Sequence, residues 1–227
     1  MKLLAIETAT DACSAALSIE GEVLERFALA PRGHTELILP MLDEIVAEAG
    51  IHLSQLDAIA FGRGPGAFTG VRIAVGVTQG IAFAMDLPVV PVSTLAAVAQ
   101  GVGAQRVLVA LDARMDEVYW GAYQRSAAGL MGLVGEECVA PPAEVPLPEG
   151  NDWWGAGAGW AAYASVLPAH CAQRLASPEA GWDSDSLPHA RDVAVLGVAG
   201  FAAGQAVSAE QALPVYLRDK VTWKKIR

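Results

Sequence analysis

The chain has 227 residues, enough for one large domain or two lobes of about 100 residues each. Hydrophobic residues make up 53% and charged residues 18%, a balance that excludes a disordered chain. The formal net charge of −10 argues against direct nucleic-acid binding, because phosphate binding depends on clustered lysine and arginine; any RNA contact should run through a partner or a small local patch. The basic cluster of this chain is C-terminal and consists of Arg218, Lys220, Lys224, Lys225 and Arg227.

The N-terminal run and the cysteines indicate a compartment. Glu7 interrupts the first apolar run before a signal-peptide core could form, and the most apolar stretch, residues 193–204, is too short to span a bilayer. Cys13, Cys138 and Cys171 are far apart and form no CxxC pair, as expected of free thiols in a reducing environment. We therefore expect a cytoplasmic protein without membrane contact.

The first half of the chain predicts three strands followed by alternating helices and strands. Short apolar runs separated by polar turns predict strands over residues 3–6, 14–19 and 23–29, which should form a meander. A helix capped by Thr35 should follow and end at Gly50. The remaining elements are a strand over residues 58–61, a glycine-rich turn over 62–66, a helix from Thr69 to about Met85, a strand over 89–92 and a helix capped by Ser93 or Thr94.

The second half echoes this order. Residues 124–150 are rich in Gly, Pro and Glu and predict irregular connections. Two lobes, each a sheet with helices and separated by a cleft, explain the repeat; a single doubly wound sheet is the alternative. The second-half elements are a strand over residues 107–111, a polar turn over 112–116, a strand over 118–123, a glycine turn over 155–159 with a helical stretch after it, and a helix capped by Asp192 that ends near Ala203.

The glycine-rich turn is a candidate anion site. Gly64 and Gly66 permit close backbone approach, and Thr69 would cap a helix whose N-terminus carries partial positive charge. Arg63 and Arg72 flank the turn, so a carboxylate or phosphate would suit it. However, the turn lacks the Lys-Ser/Thr ending of a P-loop. A tight packing turn is the other interpretation.

Carboxylates in the two predicted strand-to-strand turns would face an interlobe cleft. They could hold a magnesium ion through water, or they could be solvated or capping side chains. The four histidines have no metal-ligand spacing, and no serine lies in a GxSxG turn. Besides Asp116, the cleft residues expected in these turns are Glu7, Thr8, Asp11, Asp112 and Arg114.

The helix from Thr69 to Met85 is apolar nearly all round. Gly76 and Gly80 stand four residues apart on one face, so a second helix could approach closely there. Such a helix is either core on both sides, or core on one side and an interface on the other.

Three segments together resemble the TsaB (YeaZ) family in their order and spacing, and the similarity covers nearly the whole chain. These segments are IETAT at residues 6–10, GPGAFTGVR at 64–72 and DARMDEVY at 112–119. The resemblance implies an α/β, two-lobed actin-like ATPase fold of the sugar kinase/Hsp70/actin type, in which each lobe is a mixed sheet with helices. We place the first lobe at residues 1–103, a second lobe that degenerately repeats its architecture at 104–212, and a C-terminal tail at 213–227.

The resemblance also implies a function. Members of this family are accessory subunits that bind TsaD, their catalytic relative, and work with the ATPase TsaE in threonylcarbamoylation of the adenosine next to the tRNA anticodon. TsaD-type proteins carry a metal-binding HxxxH on the helix that begins here at Ser93, whereas residues 93–98 contain no histidine. We therefore assign no catalytic and no metal residues. We expect no cofactor in the isolated chain, with ATP or ADP and magnesium only in the assembled complex. The alternative is an active ATP- or metal-dependent actin-like enzyme, of the class once called glycoprotease-like.

Helices of the first lobe should carry the partner interface. They would pair with matching helices of TsaD, or with a second copy of the chain when TsaD is absent. tRNA would be reached through the complex. An anion or nucleotide could lie at the subunit junction, against the arginine-flanked glycine turn. The interface residues that we expect are Leu37, Met41, Ile45, Ile73, Gly76 and Gly80.

Overall fold

The computed structural model describes residues 1–177 and 181–218, and the first half of the chain builds a five-stranded mixed sheet. Its strands are β1 (Lys2–Glu7), β2 (Ala12–Ile19), β3 (Glu22–Leu29), β4 (Ala58–Gly62) and β5 (Val89–Val92). The strand order is β3-β2-β1-β4-β5. The first three strands are antiparallel, which confirms the predicted meander, whereas β4 and β5 run parallel to β1 because helices connect them.

Helices α1 (His34–Glu48) and α2 (Phe68–Met85) pack on one face of this sheet. Successive side chains of β1 point to opposite faces, so Leu4 lies in the core with α1 and α2 while Leu3 lies in the core of the other face. Helix α2 is also the one helix in the described ranges whose length and hydropathy would suffice for a membrane span, a test that core helices of soluble proteins pass as well.

The helix caps correct two predictions and confirm a third. Thr35 and Thr69 do not cap α1 and α2, because each helix begins one residue earlier and has Gly33 or Ala67 at its N-cap without a side-chain bond. Ser93 does cap the next helix, α3 (Thr94–Gly101): its hydroxyl oxygen accepts hydrogen bonds from the first-turn amides.

The second sheet repeats the strand order of the first, as β10-β9-β6-β7-β8. Its strands are β6 (Arg106–Arg114), β7 (Glu117–Arg125), β8 (Met131–Ala140), β9 (Trp154–Ala156) and β10 (Trp182–Asp183). Strand β8 corrects the prediction of irregular structure over residues 124–150. It is an edge strand with two glycines, and all but one of its residues are exposed or half-buried, so it lacks the apolar alternation that marks a strand with one buried face.

The last helix of each half packs across on the sheet of the other half. Helix α3 contacts β6, β7 and β8, whereas α6 (Ala190–Ala202) covers β1, β2 and β4 and also contacts α3. Two short helices, α4 (Gly159–Ala162) and α5 (Leu167–Cys171), remain with the second sheet. Residues 190–212, predicted within the second lobe, therefore lie on the first sheet.

Asp192 does not cap α6 as predicted. The helix begins two residues earlier with His189 at its N-cap, and the Asp192 side chain is buried against Gly101 at the end of α3. Its Oδ2 atom has no hydrogen-bond partner among the described residues. Burial raises the pKa of Asp192 to about 6, although the neighbouring Arg191 lowers it.

Candidate functional site

The glycine-rich turn packs directly against the turn between β1 and β2. A Cβ atom on Gly66 would lie 2.3 Å from the carbonyl oxygen of Ala9, and one on Gly70 would lie 2.0 Å from that of Thr8. The Thr8 hydroxyl donates to the Gly70 carbonyl at 2.7 Å, and the Ala67 amide donates to the Ala9 carbonyl at 2.7 Å. Glycine is needed because the two backbones touch. These contacts support the packing-turn interpretation of the segment.

Glu7 lies at the inner end of these contacts and does not face an open cleft, which corrects its prediction. Its fully buried carboxylate accepts hydrogen bonds from the Ala9 amide at 2.6 Å and from the Thr94 hydroxyl at 3.0 Å. A Cβ atom on Gly62 would lie 2.0 Å from Glu7 Oε2. Burial raises the pKa of Glu7 to about 7, and the hydrogen bonds only partly oppose that shift. Thr8 is equally buried, whereas Asp11 is exposed at the turn.

Arg63 reaches from the first lobe to a polar network of the second. Its Nη2 atom lies 3.5 Å from Glu137 Oε2 on β8, and the Tyr123 hydroxyl of β7 donates to the other oxygen of the same carboxylate. Burial and, to a smaller extent, the negative charge of Glu137 raise the pKa of Tyr123 well above its ordinary value. Glu137 and Tyr123 were not among the predicted site residues, because β8 was not predicted and nothing in the sequence pairs the two.

Arg72, the other flanking arginine, belongs to an exposed aromatic cluster instead. Its guanidinium carbon lies 3.6 Å from the centroid of the Phe68 ring, and its Nε donates to the Tyr216 hydroxyl at 3.0 Å. Phe68 and Tyr216 are themselves 58% and 47% exposed. The two arginines thus have different partners, while Gly64 is buried against Val71. Anion binding at this turn stays a prediction.

The turn between β6 and β7 has an uncommon backbone. Arg114, Met115 and Asp116 adopt φ values of 61°, 59° and 62°, a left-handed conformation that residues with a Cβ atom rarely take up in succession. Asp112 Oδ1 accepts hydrogen bonds from the Arg114 amide at 2.8 Å and from the Tyr163 hydroxyl at 3.3 Å. Arg114 also forms an ion pair with Asp112 but is 86% exposed. These side chains support the turn itself.

The C-terminal strap, residues 212–218, passes from the first lobe to the second. On the first lobe, the Gln79 side chain donates to the Ala212 carbonyl at 3.0 Å, and the Val215 amide donates to the Arg63 carbonyl at 2.8 Å. On the second lobe, the Arg218 guanidinium pairs with the carboxylate of Glu117 and donates to main-chain carbonyls of the β6–β7 turn. Tyr216 contacts Arg72 and Phe68 of the first lobe. The predicted tail also contained Lys220, Lys224, Lys225 and Arg227, which lie outside the described residues.

The predicted partner-interface residues separate into three groups. Met41 and Ile45 are buried in the core between α1 and the first sheet, so their assignment to an interface is wrong: their helical face is the one that meets the sheet. Leu37 and Ile73 are partly buried against the same core. Gly76 and Gly80 are exposed, and a Cβ atom on either would meet no atom within 4 Å.

Within residues 1–177 and 181–218, no three His, Cys, Asp or Glu side chains lie close enough together to hold a metal ion. At the start of α3, Leu95, Ala97 and Val98 lie in the core. Two histidines bond elsewhere: His34 Nε2 lies 2.8 Å from the Thr10 carbonyl oxygen, and His189 Nδ1 lies 3.2 Å from the Glu25 carboxylate.

Comparison with known proteins places this architecture in a family. Residues 28–226 match the family model described as TsaD, tRNA N6-adenosine threonylcarbamoyltransferase. The chain is 42% identical over its full length to the tRNA threonylcarbamoyladenosine biosynthesis protein TsaB of Escherichia coli (strain K12), of which 98% is covered. The chain belongs to the TsaB family.

Other TsaB-family relatives agree with this assignment. The TsaB protein of Haemophilus influenzae is 39% identical over the whole chain and 97% covered. The solved structure of YeaZ from Pseudomonas aeruginosa is 52% identical and has a TM-score of 0.88. The alignment covers 95% of this chain and 99% of the YeaZ chain. Another structure from the same organism, described as similar to peptidase YEAZ, is 51% identical and has the same TM-score. Its alignment covers 96% of this chain and 99% of that protein's chain. The family resemblance and the two-lobed, actin-like α/β fold are confirmed, and the relatives' names connect the family with threonylcarbamoyladenosine biosynthesis in tRNA.

Proposed function

We propose that this TsaB-family chain is a non-catalytic accessory subunit. It binds the catalytic relative TsaD, works with the ATPase TsaE, and supports threonylcarbamoylation of the adenosine next to the tRNA anticodon. tRNA is contacted through the complex, and a nucleotide with magnesium is bound only in that complex. The observation that carries this proposal is the exposed glycine face of α2.

Two mid-helix glycines on an exposed face cost stability, and none of the residues that the structure describes packs on them. Each glycine destabilises a helix by about 1 kcal/mol relative to alanine. Gly76 and Gly80 lie one turn apart with open space above them, and the exposed side chain of Phe83 lies on the next turn. A surface of this shape lets a second helix approach closely while an aromatic side chain packs beside it. A helix of TsaD is the partner that we propose, and a second copy of the chain uses the face when TsaD is absent.

The polar side chains near the junction of the two lobes support a role without catalysis, because groups of the chain itself bind them. Arg63 pairs with Glu137, and Arg218 pairs with Glu117. The carboxylate of Glu7 is enclosed by backbone and by Thr94. The Arg63–Glu137 pair joins the two lobes, and the Arg218–Glu117 pair joins the C-terminal strap to the second lobe.

The interface is tested by Gly76→Leu. The new side chain would enter the space that a partner helix needs, so we expect the affinity for TsaD to fall at least about tenfold, or 1.4 kcal/mol. Leucine is a better helix former than glycine, so the variant should fold at least as well as the parent. Titration calorimetry with purified TsaD measures the affinity.

Gly103→Leu is the matched control, since this glycine also has open space at its Cβ position but lies outside α2. It should bind TsaD with the parent affinity. If both variants bind like the parent, the glycine face is not the interface.

An active enzyme is the second candidate, because the matching family model bears the name of a transferase. The two candidates differ in what the chain does alone. Incubation of the isolated chain with ATP and magnesium should show neither turnover nor stoichiometric binding if it is an accessory subunit. ATP turnover that remains with the chain through further purification would favour the active enzyme.

A further inference from the structure

We propose that the C-terminal strap couples the cluster of Phe68, Arg72 and Tyr216 at the start of α2 to the β6–β7 turn. A change in the contacts at one end of the strap then alters the conformational order at the other end. The contacts concerned all lie within the chain. The inference therefore does not depend on the proposed function, and it can be tested without TsaD.

The two halves of the molecule hold their equivalent turns differently. In the first half, the glycine-rich turn after β4 touches the β1–β2 turn at Thr8 and Ala9. In the second half, the glycines after β9 contact β6 earlier: a Cβ atom on Gly157 would lie 2.6 Å from the Ala110 carbonyl oxygen, and one on Gly159 would lie 2.9 Å from the same residue. The glycine contacts found for the second half therefore stop before the β6–β7 turn.

Arg218 contacts the β6–β7 turn, which the glycines described for the second half do not reach. Its guanidinium donates to the carbonyl oxygens of Ala113 at 3.1 Å and Arg114 at 3.3 Å and pairs with the carboxylate of Glu117, so it joins both sides of the turn. The turn needs such support because three successive residues with Cβ atoms are left-handed. Charge-assisted, forked contacts of an arginine are the strong kind of hydrogen bond.

The other end of the strap lies on α2. Tyr216 accepts a hydrogen bond from Arg72, whose guanidinium also stacks on Phe68. Only Leu217 separates Tyr216 from Arg218, so their Cα atoms are at most about 7 Å apart. A molecule that draws Arg72 or Tyr216 away from this cluster would therefore pull on Arg218 through a segment of one residue.

Hydrogen–deuterium exchange of the full chain, read on peptides that cover residues 112–119, tests the first part of the inference. In Arg218→Gln we expect exchange in this turn to become at least about tenfold faster, because charge-assisted hydrogen bonds are lost. Arg191→Gln removes an equally charged arginine that pairs with Glu25 and Asp192 away from the turn, and it should leave the turn unchanged.

Tyr216→Ala tests the coupling. Tyr216 itself makes its described contacts on α2, with Arg72 and Phe68, so faster exchange in residues 112–119 would show transmission through the strap. Peptides from β1 and β4 serve as internal references for global unfolding in every variant. Unchanged exchange of the turn in Arg218→Gln, or in Tyr216→Ala with intact references, would overturn the proposal.

Discussion

Glu7 is the last residue of β1, and its side chain combines a polar group with a fully buried position. The pKa of its carboxyl group is raised to about 7 by burial, while the unfolded chain titrates near 4.5. Between these two pH values the folded protein keeps a proton that the unfolded chain releases. The contribution of Glu7 to stability is therefore fully present below pH 4.5 and is lost as the pH rises to about 7.

The Glu7→Gln variant should remove this pH dependence, because glutamine does not ionise. For the parent, we expect the contribution of Glu7 to the free energy of unfolding to fall by up to about 3 kcal/mol across the window. Urea unfolding from pH 4 to 8 measures the difference between the two proteins. Asp192, whose pKa is raised to about 6, produces a slope of the same sign, so Asp192→Asn should be measured separately. Parallel pH profiles of the parent and Glu7→Gln would contradict this account.

At the scale of elements, α2 contains glycines that serve opposite purposes. Gly70, in the first turn of α2, touches the backbone of the β1–β2 turn. In contrast, a Cβ atom on Gly76 would lie in open space. The same substitution should therefore have opposite effects at two positions six residues apart.

We expect Gly70→Ala to destabilise the protein by about 3 kcal/mol or more, because its methyl group would lie 2.0 Å from the Thr8 carbonyl oxygen. In contrast, Gly76→Ala should stabilise it by up to about 1 kcal/mol through helix propensity. Thermal unfolding of the two variants beside the parent makes the comparison. A stable Gly70→Ala protein would mean that the two turns are not in close contact.

At the scale of the whole molecule, the crossing of α3 and α6 ties the two halves together. The first sheet needs α6 to cover Leu3 and Ala60, and a Cβ atom on Gly197 of this helix would lie 2.5 Å from the Cβ of Ala60. Each lobe thus depends on a helix from the other half of the chain.

Residues 1–103 alone should consequently fail to fold cooperatively, although they contain all five strands of the first sheet. One face of that sheet would expose its apolar side chains. Addition of a peptide of residues 186–212 should restore a cooperative urea transition, measured by circular dichroism. A cooperative transition of residues 1–103 without the peptide would show that α6 is dispensable.

Local signals in the sequence were enough for the strands of the first half, the Ser93 cap and the family. Apolar runs, turn residues and capping side chains act on their near neighbours, so a short window of sequence contains the information. The motif at residues 64–72 could be recognised for the same reason, and its contact with the IETAT segment is now visible as backbone packing.

Tertiary structure decided the features that join distant parts of the chain. The apolar residues of α6 indicate that the helix is packed against a core but not which sheet covers it. Glu7 is followed by polar turn residues, yet contacts with residues 62 and 94 enclose it. The edge strand β8 and the contacts of Arg218 were likewise invisible, because pairing and burial between remote segments depend on the folded topology and not on local periodicity.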